Sequence, residues 1–516
     1  MGSAYPTIAA DALARFRRMR DERVCFVTGT DEHGEKIAAA AEKRGLEPHK
    51  HCDEIVKSYR SLWSQLEIDF DSFVRTTDTR HARLVNAVLE RVWAKGDIYE
   101  AEYEGVYCVG CEEYKDIKEL DEGNMCPIHR TVCDARKERN YFFRLSRYQR
   151  EIEALLEEDR NFVMPAARRN EVLGWVRDGL RDFSISRAAV SWGIPIARDP
   201  EQTVYVWFDA LLGYVSALSQ TDTDDANAGQ MDDNAVIDAC VQAGWPASIH
   251  IIGKDILRFH AVYWPAMLMS ADLPVPSCVF GHGFLTKDGL KMGKSLGNVL
   301  NPDELVESFG ADAVRFYFLR EMEFGKDGDF SETRFIDKVN ASLANDVGNL
   351  LNRTMKMLQK NCGGVIPCDA SGIERDHPLR KIAAAALADA ENAYDAVSFH
   401  SACAAALSVS GECNKYLEET QPWTKLKKGN DEEKAMAQMD LTAVLEATRI
   451  VAHLLWPIVP SMSERIFEQL GVGGAATPAW RDASWGGLKA GHEISKDVAP
   501  VFMRLEGSEA AVVAPA

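Results

Sequence analysis

The chain has 516 residues, 46% of them hydrophobic, and its 59 Lys plus Arg against 79 Asp plus Glu give a formal net charge of -20. That size suits roughly three or four packed domains, and the acidic total excludes a polycation that coats nucleic acid, so any RNA partner must be held by local basic patches. No apolar run of about 18 residues suits a membrane span and no secretory leader is visible, which reads as a soluble protein; the twelve cysteines are too few and too scattered for a disulfide framework.

In chain order, residues 1–78 alternate helix and strand. An Ala-rich helical stretch from Ile8 to Met19, the apolar strand Val24–Val27 and a helical stretch from Glu35 give the pattern of a parallel sheet. The strand runs into Gly29-Thr-Asp-Glu-His-Gly34, and ligands of open α/β sheets gather beyond the carboxyl ends of strands. Asp31 could bind an ammonium group there, with Glu32 and His33 beside it; a plain Gly/Thr/Asp turn is the competing reading.

Residues 79–201 carry a cysteine-rich segment. Cys108-x2-Cys111 and Cys126-x2-His129 have the spacing of two knuckles converging on tetrahedral zinc. Cys133 could replace His129, although a two-residue gap closes a knuckle more readily. Four protein ligands leave no open coordination position, so the expected ion is structural, one per chain.

The αβ pattern resumes over residues 202–275. Thr203-Val-Tyr-Val-Trp-Phe and Ile249-His-Ile-Ile read as strands, as does Cys278-Val-Phe just beyond, and the acidic stretch Thr221 to Asn234 reads as a solvated joint. In Ile252-Gly-Lys-Asp255, Gly253 permits close backbone approach to a ligand and Asp255 could accept ribose hydroxyls, a short turn being the alternative. Trp207, Phe208, Tyr214, Phe259, His260, Tyr263 and Trp264 form two aromatic clusters, which suit ordinary packing or a pocket for an apolar side chain.

Within residues 276–331, Lys291, Lys294 and Ser295 lie among glycines, as a cationic clamp for a polyphosphate or as a solvated hairpin. From Glu332 the period changes to steps of three and four, giving a helical bundle over 332–475 with helices across Lys381 to Tyr416 and Glu432 to Leu455 and a break at Trp456 to Pro460. Asn349 and Arg353 share one helical face, and Trp423 lies close to Lys425, Lys427 and Lys428; these read as a base- and phosphate-binding set or as a polar face with a core Trp. Residues 476–516 read as a weakly ordered tail.

Taken together, these segments resemble class I methionyl-tRNA synthetases over nearly the whole chain, most of all the plant organellar and bacterial forms. Lys291-Met-Gly-Lys-Ser295 is similar to the family's Lys-Met-Ser-Lys-Ser signature, with Gly293 in place of its first Ser. Gly29 to Gly34 looks like the substrate loop of the first half, and Tyr205-Val-Trp-Phe-Asp-Ala210 and Ile252-Gly-Lys-Asp-Ile256 like the pocket segments. The resemblance implies an α/β chain: a Rossmann-type doubly wound parallel sheet, split by a zinc-binding connective insertion and followed by an all-α anticodon-binding bundle.

It also implies ATP-dependent activation of L-methionine to methionyl-adenylate and transfer to tRNA(Met), with ATP and Mg entering as substrate. By position, the methionine site is Asp31, Val206, Trp207, Ala210, Tyr214, Ile256, His260 and Trp264. ATP falls to Gly253, Asp255, Lys291 and Lys294, catalysis to Lys291, Lys294, Ser295, Gly2 and Ser3, zinc to Cys108, Cys111, Cys126 and His129, and the anticodon to Asn349, Arg353 and Trp423. The 79–201 segment is too short for the large editing insertion of the isoleucine, valine and leucine enzymes.

Met1-Gly-Ser-Ala looks like the latter part of a His-Met-Gly-Ser variant of the family's His-x-Gly-His motif. The resemblance therefore implies that a first strand and a His are missing, so the chain as written is expected to aminoacylate little, a non-catalytic tRNA-binding fragment being the alternative. The implied compartment is a bacterial-type cytoplasm, or a chloroplast or mitochondrion whose targeting segment lies in the missing part.

Overall fold

The computed structural model describes residues 1–110, 113–115, 117–127, 130–188, 190–219, 233–292, 298–474 and 477–507, with the backbone alone at 103, 113, 119, 233 and 291. The chain divides into two compact units, one of Cys25–Ser61 and Phe70–His282, the other of Met1–Val24, Leu62–Asp69 and Gly283–Ala516.

Parallel pairing organises the first unit. Val27–Thr30 lies beside Ser72–Arg75, and His250–Gly253 lies beside Val279–His282, whose other edge takes Val163–Met164. Instead of one doubly wound sheet, the described strands form two short parallel sheets. The first strand begins at Val27, later than expected, and the strand expected from Thr203 stops at Val204, because Val206–Ser216 is helical. That helix is apolar almost all round and buried, so it has no period to separate it from a buried strand.

The cysteine-rich segment sits at the end of a long antiparallel hairpin. Ile98–Cys108 and Asp134–Phe143 pair at ten consecutive positions, from Ile98 opposite Phe143 to Tyr107 opposite Asp134. The helix Thr79–Ala94 buries His81, Leu84, Val85, Val88, Leu89 and Val92 at helical spacing, and its apolar members join Phe208, Leu211, Leu212 and Trp264 in one core.

In the second unit, Leu285–Lys287 and Leu290–Lys291 form a hairpin, and Leu285–Lys287 pairs on its other side with Gly328–Phe330. The connecting Asp288-Gly289 has φ of 52° and 75°, the left-handed pair required by a two-residue turn of the twist-matched kind. The helices Glu332–Val339, Asn349–Cys362, Pro378–Asp395, Phe399–Thr420, Asp431–Leu455 and Pro460–Leu470 build the bundle. Before the bundle, the helix Ala311–Arg320 carries the fully buried Arg315, whose guanidinium is satisfied by the carbonyls of Leu66, Pro457 and Ile458 and by Asp11.

Most of the segment expected as a loose tail is strapped onto this bundle. The Glu446 carboxylate accepts the backbone N–H groups of Gly486, Gly487 and Leu488, and Asn340 exchanges two hydrogen bonds with the backbone of Leu505. The segment has no hydrophobic period of its own because buried side chains on distant helices supply its partners.

Candidate active site

The aromatic cluster of the first unit, expected as a pocket, grows from the helix Val206–Ser216, the π-helical turn Phe259–Tyr263 and the 3-10 turn Lys254–Ile256. A carbonyl only accepts, so the 3.0 Å contact from His260 Nδ1 to the Ile256 oxygen fixes the tautomer: Nδ1 carries the proton and Nε2 accepts from the Tyr214 hydroxyl at 2.8 Å. Behind them, Trp264 Nε1 donates to His250 Nε2 at 3.2 Å, and the Tyr214 and His250 rings lie 4.2 Å apart. Trp207 stacks on Phe259 with centroids 3.9 Å apart.

Burial keeps both histidines uncharged. It pulls His260 down to about 4 against the Ile256 hydrogen bond, and it pulls His250 down to about 3 with help from His260. Burial pushes the Tyr214 phenol up, and the nearby Asp31 charge pushes it further. The result is a neutral, polarisable set of rings whose hydroxyl proton is already committed inward. Trp207, Ala210, Tyr214 and Ile256 keep some exposure; Val206 and His260 are buried, and Trp264 is fully enclosed, supporting the wall from behind.

Loop 29–34 separates its three charged residues by role. Asp31 is exposed while Glu32 and His33 are buried. Arg75 grips the Glu32 carboxylate through Nε at 2.8 Å and Nη2 at 2.9 Å, and the hydroxyls of Thr30 and Thr77 donate to it at 2.6 Å. Burial raises the Glu32 pKa, but these donors outweigh it and hold the carboxyl below its usual range. His33 Nδ1 donates to Asp209 Oδ2 at 2.6 Å, and His81 Nε2 donates to Asp209 Oδ1 at 2.6 Å. Gly29 is obligatory for steric reasons: a Cβ there would lie 2.1 Å from the Val74 carbonyl across the sheet. At the second strand end, Asp255 is exposed and its carboxylate folds over Gly253, where a Cβ would meet Asp255 Oδ1 at 2.4 Å.

Sequence reasoning passed over Arg75, His81, His250 and any role for Asp209. The signal available for Asp209 was a carboxylate in an otherwise apolar helix, which must find partners.

At the hairpin tip, the thiols of Cys108, Cys126 and Cys133 share one buried cluster. Burial and its Cys108 neighbour push the Cys133 thiol up to about 11. A tight turn, with the Arg130 N–H donating to the Cys126 carbonyl at 2.7 Å and the Cys133 N–H to Asn124 at 2.9 Å, brings Cys133 into the cluster. Cys111 and His129 lie outside the described residues, and among those described no group of three His, Cys, Asp or Glu side chains is arranged to hold a metal. The donors present are soft and mutually close, which is the chemistry zinc requires.

In the second unit, Gly2 and Ser3 are exposed ahead of the helix Ala4–Met19. The Lys291 backbone closes the hairpin, while its side chain and the whole of Lys294 and Ser295 lie outside the described residues. Asp329 staples the hairpin by accepting from Thr286 Oγ1 at 2.7 Å and the Gly289 N–H at 2.8 Å; these bonds hold its pKa below the carboxylate norm. In the bundle, Asn349 is exposed one turn before Arg353, which pairs with Glu418 at 3.0 Å, and the exposed Trp423 opens the helix Pro422–Lys428 beyond Glu418.

Residues 1–130 and 116–355 match the family model described as tRNA synthetases class I (M), and residues 366–511 match the anticodon binding domain of methionyl tRNA ligase. The chain is 53% identical over 508 residues to the chloroplastic/mitochondrial methionine–tRNA ligase of Arabidopsis thaliana, covering 98% of this chain and 80% of that protein. It is 51% identical over 515 residues to the methionine–tRNA ligase of Thermosynechococcus vestitus, covering 98% and 94%. The structure of Mycobacterium tuberculosis methionyl-tRNA synthetase in complex with methionyl-adenylate superposes with a TM-score of 0.90 at 36% identity, covering 98% of this chain and 96% of that one.

Proposed function

Because the chain belongs to the class I methionyl-tRNA synthetases, we propose that the neutral aromatic cluster forms the pocket for the methionine side chain and that Asp31 takes the ammonium group. The protein is a methionine–tRNA ligase: it activates L-methionine with ATP to methionyl-adenylate and transfers the acyl group to tRNA(Met). The reading of the pocket rests on one observation above the rest, the fixed His260 tautomer that turns the Tyr214 hydroxyl inward and leaves a lining of rings without a charge. Val206, Trp207, Ala210, Tyr214, Ile256, His260 and Trp264 make up that pocket in this reading.

The chemistry follows from residue type. Gly253 and Asp255 would meet the adenosine, the bare backbone allowing close approach and the carboxylate accepting ribose hydroxyls. Lys291 and Lys294, with Ser295, would neutralise the pyrophosphate as its charge develops, with Gly2 and Ser3 adding contacts to ATP, which enters as its Mg complex. One zinc ion, held by Cys108, Cys111, Cys126 and either His129 or Cys133, would fix the hairpin tip and supply no reaction chemistry. Asn349, Arg353 and Trp423 would read the anticodon by hydrogen bonding and stacking. The relatives come from a plant organelle and from bacteria, which favours those compartments; among the described residues, no helix is long and apolar enough to cross a membrane.

Methionine-dependent ATP–pyrophosphate exchange tests the site. Asp31→Ala should raise the methionine KM by about 100-fold, the scale of one charge-assisted contact, while the ATP KM moves by less than about twofold. An unchanged methionine KM would remove Asp31 from the ammonium site.

A further inference from the structure

Loop 29–34 has two anchors that lead to different places. Glu32 ties it to the strand Ser72–Arg75 through Arg75. His33 ties it to the helix Val206–Ser216 through Asp209, and that helix also carries Trp207, Ala210 and Tyr214. We propose that Asp209 is the positioning residue that sets the Asp31 carboxylate against the side-chain pocket, and so fixes the length of amino acid the enzyme accepts. The inference rests on Asp31 taking the substrate ammonium.

Asp209 has no exposed surface, and each of its oxygens takes one imidazole N–H at 2.6 Å. The second imidazole belongs to His81 on the helix Thr79–Ala94, and its Nδ1 contacts Ser216 Oγ at 2.7 Å. A carboxylate enclosed this way is held in place by its donors, because any displacement leaves an unpaired buried charge. Three elements therefore meet at one side chain: the loop through His33, two positions after Asp31, the helix Val206–Ser216 and the core helix Thr79–Ala94. The Trp192 ring lies 5.4 Å from His33 and its Nε1 donates to the Glu32 carbonyl, which closes the loop from the remaining side. Glu32 secures the loop to its sheet, and Asp209 relates it to the helix that carries Trp207, Ala210 and Tyr214.

Asp209→Asn keeps the shape but turns one oxygen into an N–H2 donor and removes the charge, so one imidazole keeps its contact only by taking its other tautomer, and both charge-assisted bonds become weaker neutral ones. The expected result is a methionine KM in pyrophosphate exchange raised about 10- to 50-fold, an ATP KM within about twofold of the parent, and a several-fold loss of discrimination against ethionine, one methylene longer. In an Asp31→Asn background, Asp209→Asn should add less than about twofold to the methionine KM, because it acts through the missing carboxylate. Additive effects, or an ATP KM rising by the same factor, would overturn the proposal in favour of a general packing role. If Asp31→Asn alone leaves the methionine KM unchanged, the premise falls and the proposal with it. Should Asp209→Asn fail to fold, His33→Phe and His33→Gln decide: Phe should reproduce the methionine defect and Gln, which retains an N–H donor, should recover most of it; equal defects would overturn the proposal.

Discussion

Tyr214 and His260 show how much chemistry one hydrogen bond carries. With Nδ1–H committed to the Ile256 carbonyl, His260 Nε2 can only accept, and Tyr214 is its donor. Tyr214→Phe strands a buried acceptor, which costs about 1–3 kcal/mol. Measured by pyrophosphate exchange, the methionine KM should rise about tenfold, and it should stay flat from about pH 6 to 8 in the parent, since His260 and His250 titrate near 4 and 3. At this scale Asp31, Trp207 and Tyr214 could be picked out in the sequence because they lie in short motifs beside glycines and aromatics. The Glu32–Arg75 and His33–Asp209–His81 contacts could not: their partners are separated by 43 to 176 positions, and nothing local to either end marks the other.

Among the elements, the Asp329 staple holds the hairpin that carries Lys291. The hairpin depends on the left-handed Asp288-Gly289 turn and on the two hydrogen bonds Asp329 accepts. Asp329→Ala should lower kcat of pyrophosphate exchange about tenfold and leave the methionine KM unchanged, since it loosens the hairpin and no residue of the pocket. Steady-state kinetics under saturating ATP separate the two parameters. The long bundle helices are readable from their 3.6-residue period, but the helical stretch expected over Lys381 to Tyr416 is two helices, Pro378–Asp395 and Phe399–Thr420, because Val397 between them takes a left-handed φ of 56°. Three elements are not readable: Val163–Met164 is two residues long, the Val206 helix is apolar on every side, and the C-terminal strap takes its order from Glu446 and Asn340.

Across the whole molecule, the two units should answer mild acid differently. His250 and His260 have folded pKa values below the unfolded value near 6.5, so the unfolded chain binds protons first and stability falls as pH drops from about 6.5 toward 4. Together they should cost the first unit about 2–3 kcal/mol between pH 7.5 and 5.5. In the second unit, His453 is likewise pulled down to about 4 by burial, but Asp312 is pushed up to about 6 by burial and by Glu67. A raised carboxyl has the opposite sign: the folded state takes the proton first, so stability rises as pH falls through 6; burial likewise raises Asp346 and lowers His377 and His400, so the contributions within the second unit oppose one another. Amide hydrogen exchange at pH 7.5 and 5.5, corrected for intrinsic rates, should show protection lost in residues 70–282 and largely kept in residues 301–470.

The ten paired positions between Ile98–Cys108 and Asp134–Phe143 have a consequence for how this chain can vary. A ladder advances about 3.4 Å per residue, so the thiol cluster lies about 30 Å of strand from the hairpin's root. Rungs added or removed two at a time would preserve which face each side chain presents, but Arg136 on the outer rungs pairs with Glu35, and the Arg187 guanidinium lies over both Tyr107 and Tyr205. The shaft is therefore a ruler held at both ends, and only what lies beyond Cys108 and Asp134 is free to be exchanged by descent without moving those contacts.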